Sequence, residues 1–294
     1  MNRPPLNRLL AACRAALQWR LLLLWLACLL LPAVLASLPV WLLLSPELDH
    51  SVHAPALARA LDMVAITDLG TALHRERDAL TAAGVGALLV TLLLSPWLTG
   101  AAVTAARAPQ APCLRELLAG AGEQYPRMFR MLAWAVVPLG AAAMLGGELA
   151  DAARHHADRA FTYADTQPWQ VAAATTAVLL VLLANLTLDA GRAMLAADRR
   201  RTGAVRAWCD GALLLWRRPG GALLAWAVPT VGGLALAAML GWARMHVPAI
   251  GVAGTLGALL LAQLLVLVLA WMRMARLFGL IWLAQQQAGP PRLH

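Results

Sequence analysis

The stretch LANLTLDAGR, residues 183–192, sets three groups able to do chemistry inside an apolar run: Asn185, Asp189 and Arg192. Their i, i+4, i+7 spacing places them on one face of a helix. In a chain that is 61% hydrophobic and 13% charged, an ionisable side chain within such a run calls for a reason. Two are open. Asp189 can form a structural ion pair, with Arg192 one turn on or with Arg273 or Arg276 farther along the chain, the arginines snorkelling toward headgroups. Alternatively, Asp189 couples the movement of a proton or ion. The structural pair is the favoured expectation.

Other chemistry-bearing residues form weaker patterns. Glu148, Asp151 and His155 share a helical face at i, i+3 and i+7, and His50, His53, His74, His155, His156 and His246 all fall on the side expected to be periplasmic. A metal site can be imagined there, but no HExxH or comparable cassette occurs, so no metal is expected. Cys13, Cys28, Cys113 and Cys209 form no CxxC pair and read as small apolar or interfacial residues. GxSxG, Walker A and Rossmann fingerprints in the required strand–turn–helix context are missing, and DRRRTGAVRAW (198–208) lacks the strand and glycine loop of a nucleotide site. Paired intramembrane acids are missing too. The expectation is a protein that is not an enzyme and takes no cofactor.

The elements that must position these groups follow from hydropathy. Mean hydropathy is +0.67, and six apolar runs are long enough to cross a bilayer as helices: about 21–44, 80–104, 128–149, 169–195, 221–243 and 250–272. Nothing alternates with period two, so these are helices rather than barrel strands. The first run carries AVLAS (33–37), which resembles a signal-peptide cleavage site, but its apolar stretch exceeds the usual length and its basic lead is long. A retained span is expected. The fold class is therefore all-α: a polytopic membrane protein, residues 1–294 forming one integral membrane domain.

Charge orients it. All 24 basic residues are arginine. Arg3, Arg8, Arg14 and Arg20 precede the first run; Arg107, Arg115, Arg127 and Arg130 lie between the second and third, with Glu116 and Glu123. Arg199, Arg200, Arg201, Arg206, Arg217 and Arg218 lie between the fourth and fifth, with Asp198 and Asp210, and Arg273, Arg276 and Arg292 follow the sixth. The alternate segments, 45–79 and 148–167, are rich in Asp and Glu. The positive-inside rule then puts both termini in the cytoplasm of a bacterial inner membrane. The same rule accounts for the net charge of +9 without nucleic acid.

LAWAVVPLG (132–140) returns as LAWAVPTVG (224–232), and the residues around each copy keep register. Arg115, Arg127 and Pro138 stand at the same intervals as Arg206, Arg218 and Pro229; Arg8, Arg20 and Pro32 repeat them within one residue. An aromatic precedes the second arginine each time: Trp19, Tyr125 and Trp216. On the returning runs Gly100 falls opposite Gly191, while the sixth run has Trp271 there. Three tandem helical-hairpin repeats are expected, near 6–107, 113–198 and 204–294. Each has a cytoplasmic interfacial amphipathic helix facing anionic headgroups, and an aromatic–Arg anchor: Trp19 with Arg20, Tyr125 with Arg127, Trp216 with Arg218. Each outgoing span is kinked by proline (Pro32, Pro138, Pro229), and small residues on the returning span let helices approach. Residues 55–80 read as a broken amphipathic helix on the outer leaflet, or as a cap over a cavity.

This layout, the pattern RxxL…W/Y-(P)-R…P before a span and LLSPWLTGAAVTAAR (93–107) after it, resembles six-span bacterial inner-membrane proteins. They are similar to the membrane domain found beside some glycerophosphodiester phosphodiesterases and to related domains of unknown function. The resemblance implies an accessory, lipid-facing or transport-associated module. The soluble phosphodiesterase barrel does not occur in these 294 residues, so it implies no hydrolase activity. Two readings of function stand: a non-catalytic module that organises lipid or a membrane-protein partner, and a small transporter or channel with its path between the Pro-kinked hairpins.

Overall fold

The structure, a computed structural model, describes residues 5–48, 67, 70–71, 73–157, 163–199, 202–247 and 251–287. In chain order its main helices are α1 (Pro5–Ala15), α2 (Trp19–Leu48), α3 (Arg77–Arg107), α4 (Leu114–Ala157), α5 (Tyr163–Ala197), α6 (Ala204–Arg217), α7 (Pro219–His246) and α8 (Gly251–Gln287). No strand occurs among the described residues. Among the described residues six helices, α2 through α5 with α7 and α8, are long and apolar enough to cross a membrane. The 27-residue stretch Trp19–Ser45 of α2 reaches about 40 Å at 1.5 Å per residue, beyond the roughly 30 Å of a bilayer core. Large apolar side chains such as Val136, Met144, Leu179, Met239 and Leu260 are exposed along these spans, as suits a hydrocarbon solvent. The chain is an all-α, multi-pass membrane protein. Most of residues 55–80, with His50, His53, Arg200, Arg201, Arg292 and His294, lies outside the described residues.

The chain enters α2, α4 and α7 in three different ways. Between α6 and α7 the helix breaks at Arg218 (φ −137°, ψ 60°), because Pro219 bars the helical conformation from the residue before it and then serves as the first helical residue. Residues 16–18 separate α1 from α2. At the corresponding point α4 does not break: one helix of 44 residues carries Tyr125, Pro126 and Arg127 in its interior. Pro126 removes the donor for the carbonyl of residue 122. That residue is Gly122, exposed and with open space where a side chain would be, so the proline ring is accommodated. A separate interfacial helix before the third span, expected from the sequence, is thus replaced by a continuous one. Pro138 and Pro229 likewise lie inside α4 and α7, and Pro32 within α2, with helix on both sides.

The packing divides the chain into two compact units. One comprises Gln18–Leu98 and Gly233–Trp271; here Leu35 of α2 lies against Gly86 of α3, and Leu265 of α8 against Gly241 of α7. The other comprises Met1–Leu17, Thr99–Gly232 and Met272–His294, and it contains the candidate site. Its interior is built on glycine. A Cβ on Gly211 of α6 would sit 2.6 Å from the backbone nitrogen of Gly191 in α5, and one on Gly100 of α3 would sit 2.9 Å from the Ala121 carbonyl of α4. Gly120 of α4 likewise meets Thr104 of α3. Gly100 with Gly120 and Gly191 with Gly211 stand at matching intervals, so the end of α3 meets the start of α4 as the end of α5 meets α6. Small residues let backbones touch and maximise dispersion contact where no hydrophobic effect drives helices together. α6 buries Ala204, Ala207, Gly211 and Leu214 at helical spacing while Arg206, Leu213, Trp216 and Arg217 stay exposed.

Candidate functional site

Asp189 lies near the Arg-bearing end of α5 and is 8% exposed. Its Oδ1 accepts from Arg192 Nη1 at 2.7 Å, one turn on, and its Oδ2 accepts from Trp226 Nε1 of α7 at 3.3 Å. Arg276 of α8 brings its Nε to 3.8 Å from Oδ2 and lays its guanidinium over the Trp226 ring, 5.3 Å from the centroid. Arg273, one turn earlier on α8, shares this electrostatic neighbourhood with Arg192, Asp189 and Arg276. One carboxylate therefore ties three helices. Both carboxylate oxygens are engaged, as a buried charge requires, while Arg276 Nε is buried without a hydrogen bond and relies on the ion pair and the ring face.

The expected triad is only partly realised. Asp189 and Arg192 meet, but Asn185 turns back on its own helix, donating from Nδ2 to the Val181 carbonyl at 2.9 Å. Trp226, the tryptophan of the second LAWAV copy, is the residue that sequence reasoning missed. The available signal was its N–H, which seeks an acceptor when buried. Its counterpart in the first copy, Trp134, packs edge-on against Trp208 of α6 with centroids 5.8 Å apart, and its Nε1 has no hydrogen-bond partner. Trp208 itself donates to Thr187 Oγ1 of α5 at 3.1 Å. Thr230, on the turn after Trp226, donates to the Trp226 carbonyl beside Pro229.

A second polar assembly closes the end of α5, whose last carbonyls have no partners within the helix. Arg107 of α3 donates from Nε to the Ala196 carbonyl at 2.7 Å. Arg127 of α4 donates from Nη2 to the carbonyls of Leu195 at 2.7 Å and Asp198 at 2.6 Å, and from Nη1 to Gln124 Oε1 at 2.9 Å. Arg130 reaches the Thr202 carbonyl at 3.0 Å. Cations at a helix C-terminus also complement its dipole. Arg127, expected to face headgroups, is half-buried against protein carbonyls because α5 ends beside it. Its neighbour Tyr125 stacks on Phe129.

The other anchors face outward. Trp19 is 65% exposed, with the Arg20 guanidinium 5.4 Å from its ring centroid. Trp216 is 85% exposed, and Arg218 is exposed and donates to Gln286 Oε1 at 3.0 Å. Glu148, Asp151 and His155 are all exposed, and Asp151 pairs with Arg154 at 3.1 Å. Among the described residues no group of three or more His, Cys, Asp or Glu is placed to hold a metal ion. Cys113 and Cys209 are exposed thiols, whereas burial pushes the Cys13 thiol up from its ordinary pKa.

Cavities occur in both units among the described residues. One of about 460 Å³ lies between the end of α3 and the start of α4, with Arg107, Arg199, Glu116 and Glu123 on its wall. An apolar groove of about 580 Å³ lies between α5, α6 and α7. A third, about 720 Å³, runs along α2 past Val34, Leu38, Trp41 and Leu44. Asp189 lines none of the three. Fold and site together define a class: a multi-pass helical membrane protein with a buried Asp–Arg–Trp node. Comparison with known protein families, curated proteins and solved structures returns no match.

Proposed function

We propose that the protein is a non-catalytic inner-membrane module of three tandem helical hairpins, with both termini in the cytoplasm, that organises lipid or a membrane partner along its arginine-rich face. The observation that carries this reading is the state of Asp189. A carboxylate that couples transport must exchange its partner for solvent or cargo, whereas Asp189 is 8% exposed and held by Arg192, Trp226 and Arg276. Close contacts made through glycines at matching intervals, Gly100 and Gly120 at α3/α4 and Gly191 and Gly211 at α5/α6, support the tandem architecture. The exposed Trp19–Arg20 and Trp216–Arg218 pairs support engagement of an anionic leaflet.

The second reading, a transporter or channel between the proline-bearing hairpins, has one observation in its favour: Pro229 lies within a turn of Trp226, the Asp189 donor. Reconstitution into vesicles with a trapped pH indicator separates the two. The module reading expects proton and ion flux no higher than that of empty vesicles, and an Asp189→Asn variant that loses thermal stability. Flux abolished by Asp189→Asn at unchanged stability would overturn it.

A further inference from the structure

An apolar groove runs between α5, α6 and α7. Leu183 and Leu186 form one wall, Leu215 and Trp216 another, and Leu223 the third. The hydroxyl in the lining, that of Thr187, is already satisfied: it donates to the Ala184 carbonyl at 2.8 Å and accepts from Trp208 Nε1. The wall therefore offers hydrocarbon a dry, apolar surface and offers a polar ligand little. At the groove's end α6 stops and α7 begins, and there Arg217 and Arg218 are exposed beside the 85% exposed Trp216. Among the described residues neither arginine forms an ion pair; Arg218 donates one N–H to Gln286.

We propose that this groove holds an acyl chain of an anionic phospholipid of the cytoplasmic leaflet, with its phosphate on the Arg217 and Arg218 guanidinium groups. The argument is charge complementarity at the end of an apolar cleft: two cations meet the phosphodiester where the chain emerges, while Trp216 sits at the headgroup level. The break at Arg218, imposed by Pro219, leaves Arg217 as the last residue of α6 and Arg218 just beyond it. The second hairpin cannot form this site: α4 is continuous there, and Arg127 is committed to the carbonyls of Leu195 and Asp198. The inference rests on the lipid-organising reading above and names its ligand.

Native mass spectrometry of the full-length protein, titrated with phosphatidylglycerol or phosphatidylcholine, tests it. One phosphatidylglycerol is expected to remain bound under activation that strips phosphatidylcholine. The Arg217→Gln/Arg218→Gln variant should bind phosphatidylglycerol about thirtyfold more weakly, as the loss of two interfacial cations implies. Leu223→Trp, which fills the groove, should lose retention of the bound lipid while both arginines remain. Circular dichroism and size-exclusion profiles matching wild type confirm that each variant folds; Leu223→Ile serves as the conservative control should the tryptophan variant misfold. Equal retention of the two lipids by wild type, or undiminished phosphatidylglycerol preference in the double arginine variant, overturns the site. That failure leaves the module reading standing; Asp189-dependent flux in vesicles overturns the module reading itself.

Discussion

Removing the charge of Asp189 should loosen the junction of α5, α7 and α8, and the structure sets the scale. At 2.7 Å the Asp189–Arg192 pair has a gross Coulomb attraction of about 6 kcal/mol at an effective dielectric of 20. Desolvation offsets much of that: the two side chains are 11% and 15% exposed, and each ion gives up several kcal/mol of hydration. The net worth of the pair is therefore small, but breaking it from one side leaves Arg192 and Arg276 buried without their anion. That kind of truncation costs about 3–5 kcal/mol. The Trp226 contact, long at 3.3 Å, adds little beyond this. Asp189→Asn retains shape and an acceptor oxygen, so its loss belongs at the lower end, about 3 kcal/mol. For a chain of 294 residues that is a drop in Tm of about 5 °C. Thermal unfolding of the purified protein in detergent, followed by tryptophan fluorescence, reads it directly. The combined Asp189→Asn/Arg192→Gln variant should recover part of the loss, since removing both partners leaves one fewer orphaned charge. If Asp189→Asn melts with wild type and the double variant shows no coupling, the claim that this node holds the helices together is wrong.

Other expectations are independent of that node. Gly211→Ala forces a Cβ against the α5 backbone and should cost about 1–3 kcal/mol in the same unfolding assay; Gly232→Ala, with open space at its Cβ, should be neutral or stabilising by up to about 1 kcal/mol. Arg127→Gln should release the end of α5, seen as faster amide exchange over residues 195–199, whereas Arg20→Gln, on an exposed anchor, should leave exchange there unchanged. A membrane-impermeant maleimide should label Cys113 and Cys209 from the cytoplasmic side of sealed vesicles; labelling from the opposite side would invert the proposed orientation. Cys13 should react slowly at pH 8 and speed up steeply on going to pH 9, because burial raises its pKa and keeps the thiol protonated at the lower pH.

The sequence by itself determined the parts of this protein that depend on composition along the chain. Runs of apolar residues longer than a bilayer, interrupted by arginine on one side and acids on the other, admit little but six spanning helices, and the glycines at matched intervals mark where those helices touch. What it left open were choices between partners of equal local merit. An arginine near a helix end satisfies the same local rules whether it faces a lipid phosphate or a neighbour's unpaired carbonyls. Arg127 takes the carbonyls because α5 terminates beside it, and Arg218 turns outward because Pro219 breaks the chain there. Asp189 had three arginines within reach along the sequence, and packing gave it Arg192, Arg276 and a tryptophan from α7 while leaving Asn185 on its own helix. Tertiary structure decided these pairings because a buried charge is satisfied by whatever donor the interhelical contact delivers, and that contact is made by residues far away in the chain.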